Sequence, residues 1–169
     1  GPGTVDEAVE DHGRGAVGDG PDVPDDVDEE PVVVVEDDLL AGQDQFIRYA
    51  ETSPYNTLEL NEAFTDFGVI TAGLGWNYYM ENLDELPVKP SHLHISVYPL
   101  PVDKIRRFAA RVKRIVVIEE GFSFVERALR GVFPPSVQIS GKEDGALPRT
   151  GEITPDNVRG ILGLEPKRG

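Results

Sequence analysis

Four short runs of β-branched and other apolar residues recur along the chain: DFGVITAG (66–73), HLHISVY (92–98), RIVVIE (114–119) and SVQIS (136–140). Amphipathic stretches separate them: GWNYYMENLDEL (75–86), PVDKIRRFAARV (101–112) and FSFVERALRGV (122–132). VITAG and IVVIE are continuous rather than alternating. A strand with one solvated face alternates apolar and polar residues, whereas a continuous run suits a strand covered on both faces. Strands alternating with helices imply βαβ units. The expected fold is therefore α/β, in three layers (α/β/α), with a mostly parallel sheet.

Local signals sharpen the elements. In the second helical stretch Ile105, Phe108, Ala109 and Val112 share one face, and Pro101 suits its first turn. Pro87 and Pro90 break the stretch that precedes it. TPDNVRGILG (154–163) predicts a last helix with Thr154 as N-cap, Pro155 at the first helical position and Gly163 as its stop. Upstream, LLAGQDQFIRYAE (39–51) places Leu39, Leu40, Phe46, Ile47 and Ala50 at roughly helical spacing. TSPYNTLEL reads as an exit loop, because Pro54 disfavours helix at Ser53. VVVV (32–35) reads as a short strand or as the apolar start of a docked segment.

Charge divides the chain in two. Residues 1–38 carry 14 Asp or Glu and a single basic residue, Arg14; the remainder carries 17 acidic and 15 basic residues. The net charge of −15 thus belongs to a tail. Residues 1–30 have no aromatic residue and no sustained periodicity, so they bury too little apolar area to offset their ordering entropy. The expected organisation is an acidic, disordered or loosely attached tail over 1–38 and one α/β domain over 39–166. An acidic interaction tail is the functional alternative. Acidic surface disfavours nucleic acid. Cysteine is absent, which excludes disulfides, thiolate metal ligands, iron–sulfur ligands and a cysteine nucleophile from this chain. No apolar run approaches transmembrane length and no signal pattern opens the chain, so a soluble, cytoplasmic protein without membrane contact is expected.

Four features could carry chemistry. Glu119 and Glu120 end one strand run just before a helix, with Gly121 permitting a tight turn. Neighbours on a strand point to opposite faces, so the two carboxylates do not easily share a proton. They read either as an acid/base pair at the ligand-binding edge of an α/β sheet or as a turn, cap or domain contact. Gly73 and Gly75 form two-thirds of a dinucleotide fingerprint, but Tyr78 stands where the third small residue should fall. Close packing of the turn against the sheet is the alternative. His92 and His94 share a strand face, yet a metal needs a third ligand, and the alternative is one histidine facing solvent or a partner beside its neighbour. Arg107, Arg111 and Arg114 fall about one turn apart, as a phosphate or acidic-partner site or as a solvated helix face.

YPLPVDKIRRFAARVKRIVVIEEG resembles the core of the transketolase C-terminal domain, and GVITAGLGWNYYMENL resembles its first strand and helix. The segments GVITAGLGWNYY, GALPRTGEITPDNVRGILGLEP (145–166) and IRYAETSPYN (47–56) more closely resemble the alpha subunit of indolepyruvate:ferredoxin oxidoreductase, a thiamine-diphosphate enzyme. The resemblance spans about residues 39–166 and has no counterpart for 1–38. It implies a parent reaction in which aryl 2-oxoacids are oxidatively decarboxylated to acyl-CoA while ferredoxin is reduced. Thiamine diphosphate, magnesium and iron–sulfur clusters would serve the parent enzyme.

The resemblance also implies that the cofactor-binding domains lie outside this chain, with residues 167–169 at the start of a linker towards the next one. This domain would then hold neither catalytic residues nor cofactor nor metal. Gly73, Gly75, Glu119, Glu120 and Gly121 would form turns that contact the thiamine-diphosphate domains and a second subunit. The alternative is a free-standing interaction or ligand-binding regulatory module with an acidic partner-binding tail.

Overall fold

The computed structural model describes residues 33–167. The acidic segment 1–32 and the last two residues lie outside it. A long helix, α1 (Val33–Thr52), comes first, so Val33, Val34 and Val35 of the VVVV run belong to a helix rather than a strand, and Val32 lies outside the described residues. The core elements follow in the order β1 (Thr57–Glu59), β2 (Gly68–Ala72), α2 (Gly75–Leu83), β3 (Ser91–Ile95), α3 (Val102–Ala109), β4 (Arg114–Glu119), α4 (Phe124–Val132), β5 (Gln138–Ser140) and α5 (Pro155–Ile161).

The strands form one five-stranded sheet in the order β1-β3-β2-β4-β5. All pairings are parallel except β1 with β3, which is antiparallel. β1 falls where an exit loop was expected. Its three residues pair with His92, Leu93 and His94, and a pairing partner this far along the chain leaves no local periodic signature.

Both faces of the central strands are covered, as their continuous apolar runs require. Every residue of β2 is buried. On one face Ile70, Leu93, Ile115 and Val117 pack under Ile105 and Phe108 of α3 and Val125 and Leu129 of α4. Ala109 and Val112 flank the same cluster, as their spacing predicts. On the other face Val69, Val116 and Ile118 pack under Tyr79 of α2 and Val158 and Ile161 of α5. This is the three-layer α/β/α arrangement with a mostly parallel sheet.

The capping of α5 follows its sequence. Thr154 accepts from the Asn157 amide, Asn157 returns the bond to the Thr154 amide, and Pro155 opens the helix. Arg159, buried, then clamps α5 to α2. It donates to Asn82 Oδ1 at 3.0 Å and pairs with Glu85 at 2.8 Å.

The helix expected over 39–51 lies within α1, and the Leu39 and Leu40 side chains lie outside the described ones. Ala50 is buried, but Phe46 and Ile47 are 64% and 46% exposed. Its carboxyl end is tied to the body by hydrogen bonds. Glu51 accepts from the Asp103 and Lys104 amides at the start of α3. Asn56, buried just beyond the helix, donates to the carbonyls of Ala50 and Val97, both at 2.9 Å. Its Oδ1 accepts from the amides of Ser96 and Val97. One amide side chain thereby joins the end of α1 to the loop after β3, with donor and acceptor both satisfied.

Candidate functional site

In a parallel sheet every strand delivers its following loop to the same edge. From β2 the chain first moves outward to β3, then crosses back to β4 on the other side of β2. The helices that follow β2 and β4 therefore leave on opposite faces, opening a crevice between their strand ends. Such a switch in strand order is where open α/β sheets bind ligands. Here it is a depression of about 680 Å³ lined by Ala72, Gly73, Ile95, Ser96, Glu119 and Glu120, with Tyr98, Phe122 and Phe124 around it.

The structure brings Gly73, Glu119 and Glu120 together in this crevice. Gly73 (φ 56°) and Gly121 (φ 70°) occupy the left-handed region in the turns leaving β2 and β4. Gly75 lies one step behind: a Cβ there would stand 2.1 Å from the Ile118 carbonyl oxygen. It lets α2 rest directly on the β4 backbone, which is packing rather than dinucleotide binding.

Glu119 and Glu120 face opposite sides. The Glu119 carboxylate is buried and accepts from the amides of Val125 at 2.8 Å and Glu126 at 3.0 Å, so it caps α4 across the turn. Burial raises its pKa, and the two amide bonds and the charge of Lys142 oppose that rise. Lys142 is itself buried and donates to the Gly121 carbonyl, closing the same turn from behind. Glu120 points to the α2 side. Burial, and then the Glu120 carboxylate beside it, raise the Tyr78 hydroxyl above its ordinary pKa. Glu120 Oε2 is buried and has no hydrogen-bond partner. Among the described residues no hydrogen bond joins the Glu119 and Glu120 carboxylates.

A second polar cluster lies beneath α2. Thr71 Oγ1 is 2.8 Å from both His92 Nε2 and His94 Nδ1, and His94 Nε2 is 2.8 Å from Ser96 Oγ. A hydroxyl has one proton, so it donates to one imidazole and accepts from the other. Tyr79 covers His92 with ring centroids 4.5 Å apart. Burial first, then His94 and Lys89, depress His92 to about 3, and burial lowers His94 as well. Neither histidine simply faces solvent; both are held neutral in a hydrogen-bonded row.

The three arginines do not form one face. α3 ends at Ala109, Arg111 pairs with Glu62, and Arg114 lies on β4 with its guanidinium 5.3 Å from the Phe67 ring. Arg107 alone remains on an exposed helical surface.

Sequence reasoning missed the aromatic rim. Tyr98, Phe122 and Phe124 are 47%, 65% and 51% exposed. Phe122 and Phe124 read as members of an amphipathic helix, but α4 starts only at Phe124, which leaves Phe122 in the turn. Thr71 was also missed, since its partners are supplied by the neighbouring strand.

The crevice offers two carboxylates, and each Glu119 oxygen already accepts one α4 amide. Among the described residues no three His, Asp or Glu side chains are grouped to hold a metal. Iron–sulfur ligation by cysteine is closed to a chain without cysteine.

The fold is that of a segment within a 2-oxoacid:ferredoxin oxidoreductase. The 2-oxoglutarate:ferredoxin oxidoreductase from Magnetococcus marinus, solved with 2-oxoglutarate, coenzyme A and succinyl-CoA bound, superposes with a TM-score of 0.60 over 78% of this chain and 22% of its own, at 17% identity. By sequence, the chain is homologous to part of indolepyruvate oxidoreductase subunit IorA. It is 32% identical to the Archaeoglobus fulgidus subunit over 135 residues, covering 77% of this chain and 21% of that one. The Methanothermobacter marburgensis subunit is 28% identical over 140 residues, covering 78% of this chain and 23% of that one. The chain thus spans about a fifth of the length of the curated relatives it matches. No family model matches it. Among the described residues no helix is long and apolar enough to cross a membrane.

Proposed function

We infer that residues 39–166 are a non-catalytic, transketolase C-terminal-like contact domain of a thiamine-diphosphate-dependent indolepyruvate:ferredoxin oxidoreductase alpha subunit. The parent reaction is oxidative decarboxylation of an aryl 2-oxoacid to acyl-CoA with reduction of ferredoxin, in the cytoplasm. Thiamine diphosphate, magnesium and iron–sulfur clusters belong to other domains and subunits, which are this domain's partners. The turns at Gly73–Gly75 and Glu119–Gly121 hold the contacting loops in place.

The use of Glu119 carries this reading. The carboxylate best placed for chemistry at the sheet edge has both oxygens tied to α4 amides. What the edge presents instead is exposed aromatic surface. Similarity to about a fifth of a much longer subunit accords with a part that works in company.

Calorimetry of the chain with thiamine diphosphate and magnesium tests the proposal. No heat of binding is expected; micromolar binding overturns it. A ligand-binding regulatory module is the competing reading, favoured by the open crevice. A nucleotide-dependent rise in melting temperature would support that one.

A further inference from the structure

The hydrogen-bonded row beneath α2 has one sealed end and one open end. At the sealed end Thr71 and His92 are buried, with Tyr79 over the His92 ring. At the open end Ser96 is exposed and lines the crevice. Its backbone amide donates to Asn56 Oδ1 at 2.8 Å, which fixes the segment that carries it. His94 joins the two ends: its Nδ1 lies 2.8 Å from Thr71 Oγ1, and its Nε2 lies 2.8 Å from Ser96 Oγ. Burial lowers the His94 pKa, so the neutral ring carries a proton on one nitrogen and a lone pair on the other. With Ser96 donating to Nε2, the Nδ1 proton goes to Thr71 Oγ1 and the Thr71 proton to His92 Nε2. Every donor in that row meets an acceptor. A hydroxyl, a base within reach of it and a third group that orients the base are the parts of an activated nucleophile.

We propose that Ser96 is an acylation site, whose Oγ, with His94 as its base, takes the acyl group of an uncharged, apolar ester. Oγ attacks the carbonyl carbon, and its proton passes to His94 Nε2. A C–O bond to Ser96 forms, the bond to the leaving oxygen breaks, and that oxygen takes the proton from Nε2. The products are an acyl-serine and a free alcohol, with no change of oxidation state. Thr71 and His92 are positioning residues, which keep the other His94 proton on Nδ1. Ser96 lies one step beyond the Ala72–Ile95 pairing, beside Gly73 and the start of α2. The amino end of a helix favours the negative charge that grows on a carbonyl oxygen under attack. Glu119 and Glu120 line the same crevice, which disfavours an anionic donor. The exposed Trp76 ring stands beside His94, with centroids 5.7 Å apart, and offers apolar contact to the acyl group. This chemistry goes beyond the contact-domain reading and is separate from the parent reaction.

The test is incubation of the chain with p-nitrophenyl butyrate. Release of p-nitrophenol gives the rate, and peptide mass mapping locates the butyryl group. A burst of about one equivalent is expected, with the group on Ser96. Ser96→Ala should abolish labelling at that position. His94→Gln should slow it by about 100-fold or more, the usual share of a positioned base. Long-range nitrogen–proton spectra of the histidine rings should show the His94 proton on Nδ1 in the parent chain. In Thr71→Val the Nδ1 proton has lost its acceptor, so the proton should move to Nε2 and labelling should slow. Amide peaks unchanged away from the row show that each variant is folded.

Butyryl groups spread over exposed lysines and serines, an undiminished rate in folded His94→Gln, or a His94 proton on Nε2 in the parent chain overturns the proposal. The labelling position and the tautomer are both read on the parent chain, so a variant that fails to fold does not leave the matter open. Failure here leaves the contact-domain reading standing, because thiamine diphosphate binding decides that one.

Discussion

Glu119 and Val125 stand six residues apart in sequence and 2.8 Å apart in the fold, carboxylate oxygen to backbone amide. That bond, with its twin to Glu126, turns the end of a strand into the cap of the next helix. Glu119→Gln keeps one acceptor but turns an amide group towards the second backbone donor. It should cost about 1–3 kcal/mol, the penalty for a buried unsatisfied donor. Urea unfolding checks this; a midpoint within error of the parent chain contradicts the cap.

The two glycines of the first turn should respond differently to alanine. At Gly75 a Cβ meets the Ile118 carbonyl, a backbone group that a rotamer change cannot move aside. Gly75→Ala should cost about 3 kcal/mol or more, at the upper end of overpacking penalties, because α2 must lift off β4. At Gly73 nothing lies within 4 Å, so only the φ of 56° resists. Gly73→Ala should cost about 1–2 kcal/mol. Thermal melts of the two variants would show the order.

His92 sets a pH dependence of known sign. Its folded pKa, about 3, lies below the unfolded value, so between those two values the unfolded chain binds the extra proton. Its contribution to stability is therefore complete above the unfolded value and lost as pH falls towards 3. His94 is shifted in the same direction and adds to the slope. Over this window His92 contributes at most about 1.4 kcal/mol per pH unit. Carboxylates titrate there too, so the comparison is with His92→Gln, whose unfolding free energy should fall less steeply between pH 6 and 4. Parallel curves for the two proteins would refute the assignment.

Asn56→Ala removes four hydrogen bonds at once and leaves buried backbone groups in two segments unpaired. A loss of about 3 kcal/mol or more is expected. Hydrogen exchange should show the carboxyl end of α1 and the Ser96–Val97 loop losing protection together, while β2 and β4 lose none beyond the global change.

Much of the fold was legible because it is local. The expected run RIVVIE coincides with β4, and Thr154, Pro155 and Gly163 bracket α5 as their chemistry predicts. Each signal needs only a few consecutive residues and the preference of apolar side chains for one face. β1 carried no such signal, being three residues recruited by β3. α1 misled in another way. Its apolar residues have helical spacing, but spacing does not say whether a face meets a partner, and Phe46 and Ile47 stay exposed. The arginines at 107, 111 and 114 seemed one face only while the helix was assumed to continue past Ala109.

At the sheet edge the division is the same. That Glu119 and Glu120 end a strand, face opposite ways and meet a glycine turn followed from residue order and the two-residue period of a strand. Which of them would be satisfied and which left with an orphaned oxygen did not, because the donors come from α4 and from residue 142. Nor did the meeting of Thr71 with two histidines some twenty residues downstream. Periodic burial is written along the chain, so residue order settled the layers and the direction of the strands. Hydrogen-bond partnership and surface exposure depend on which distant segments come to lie side by side, and only the folded packing of helices on the sheet decided those.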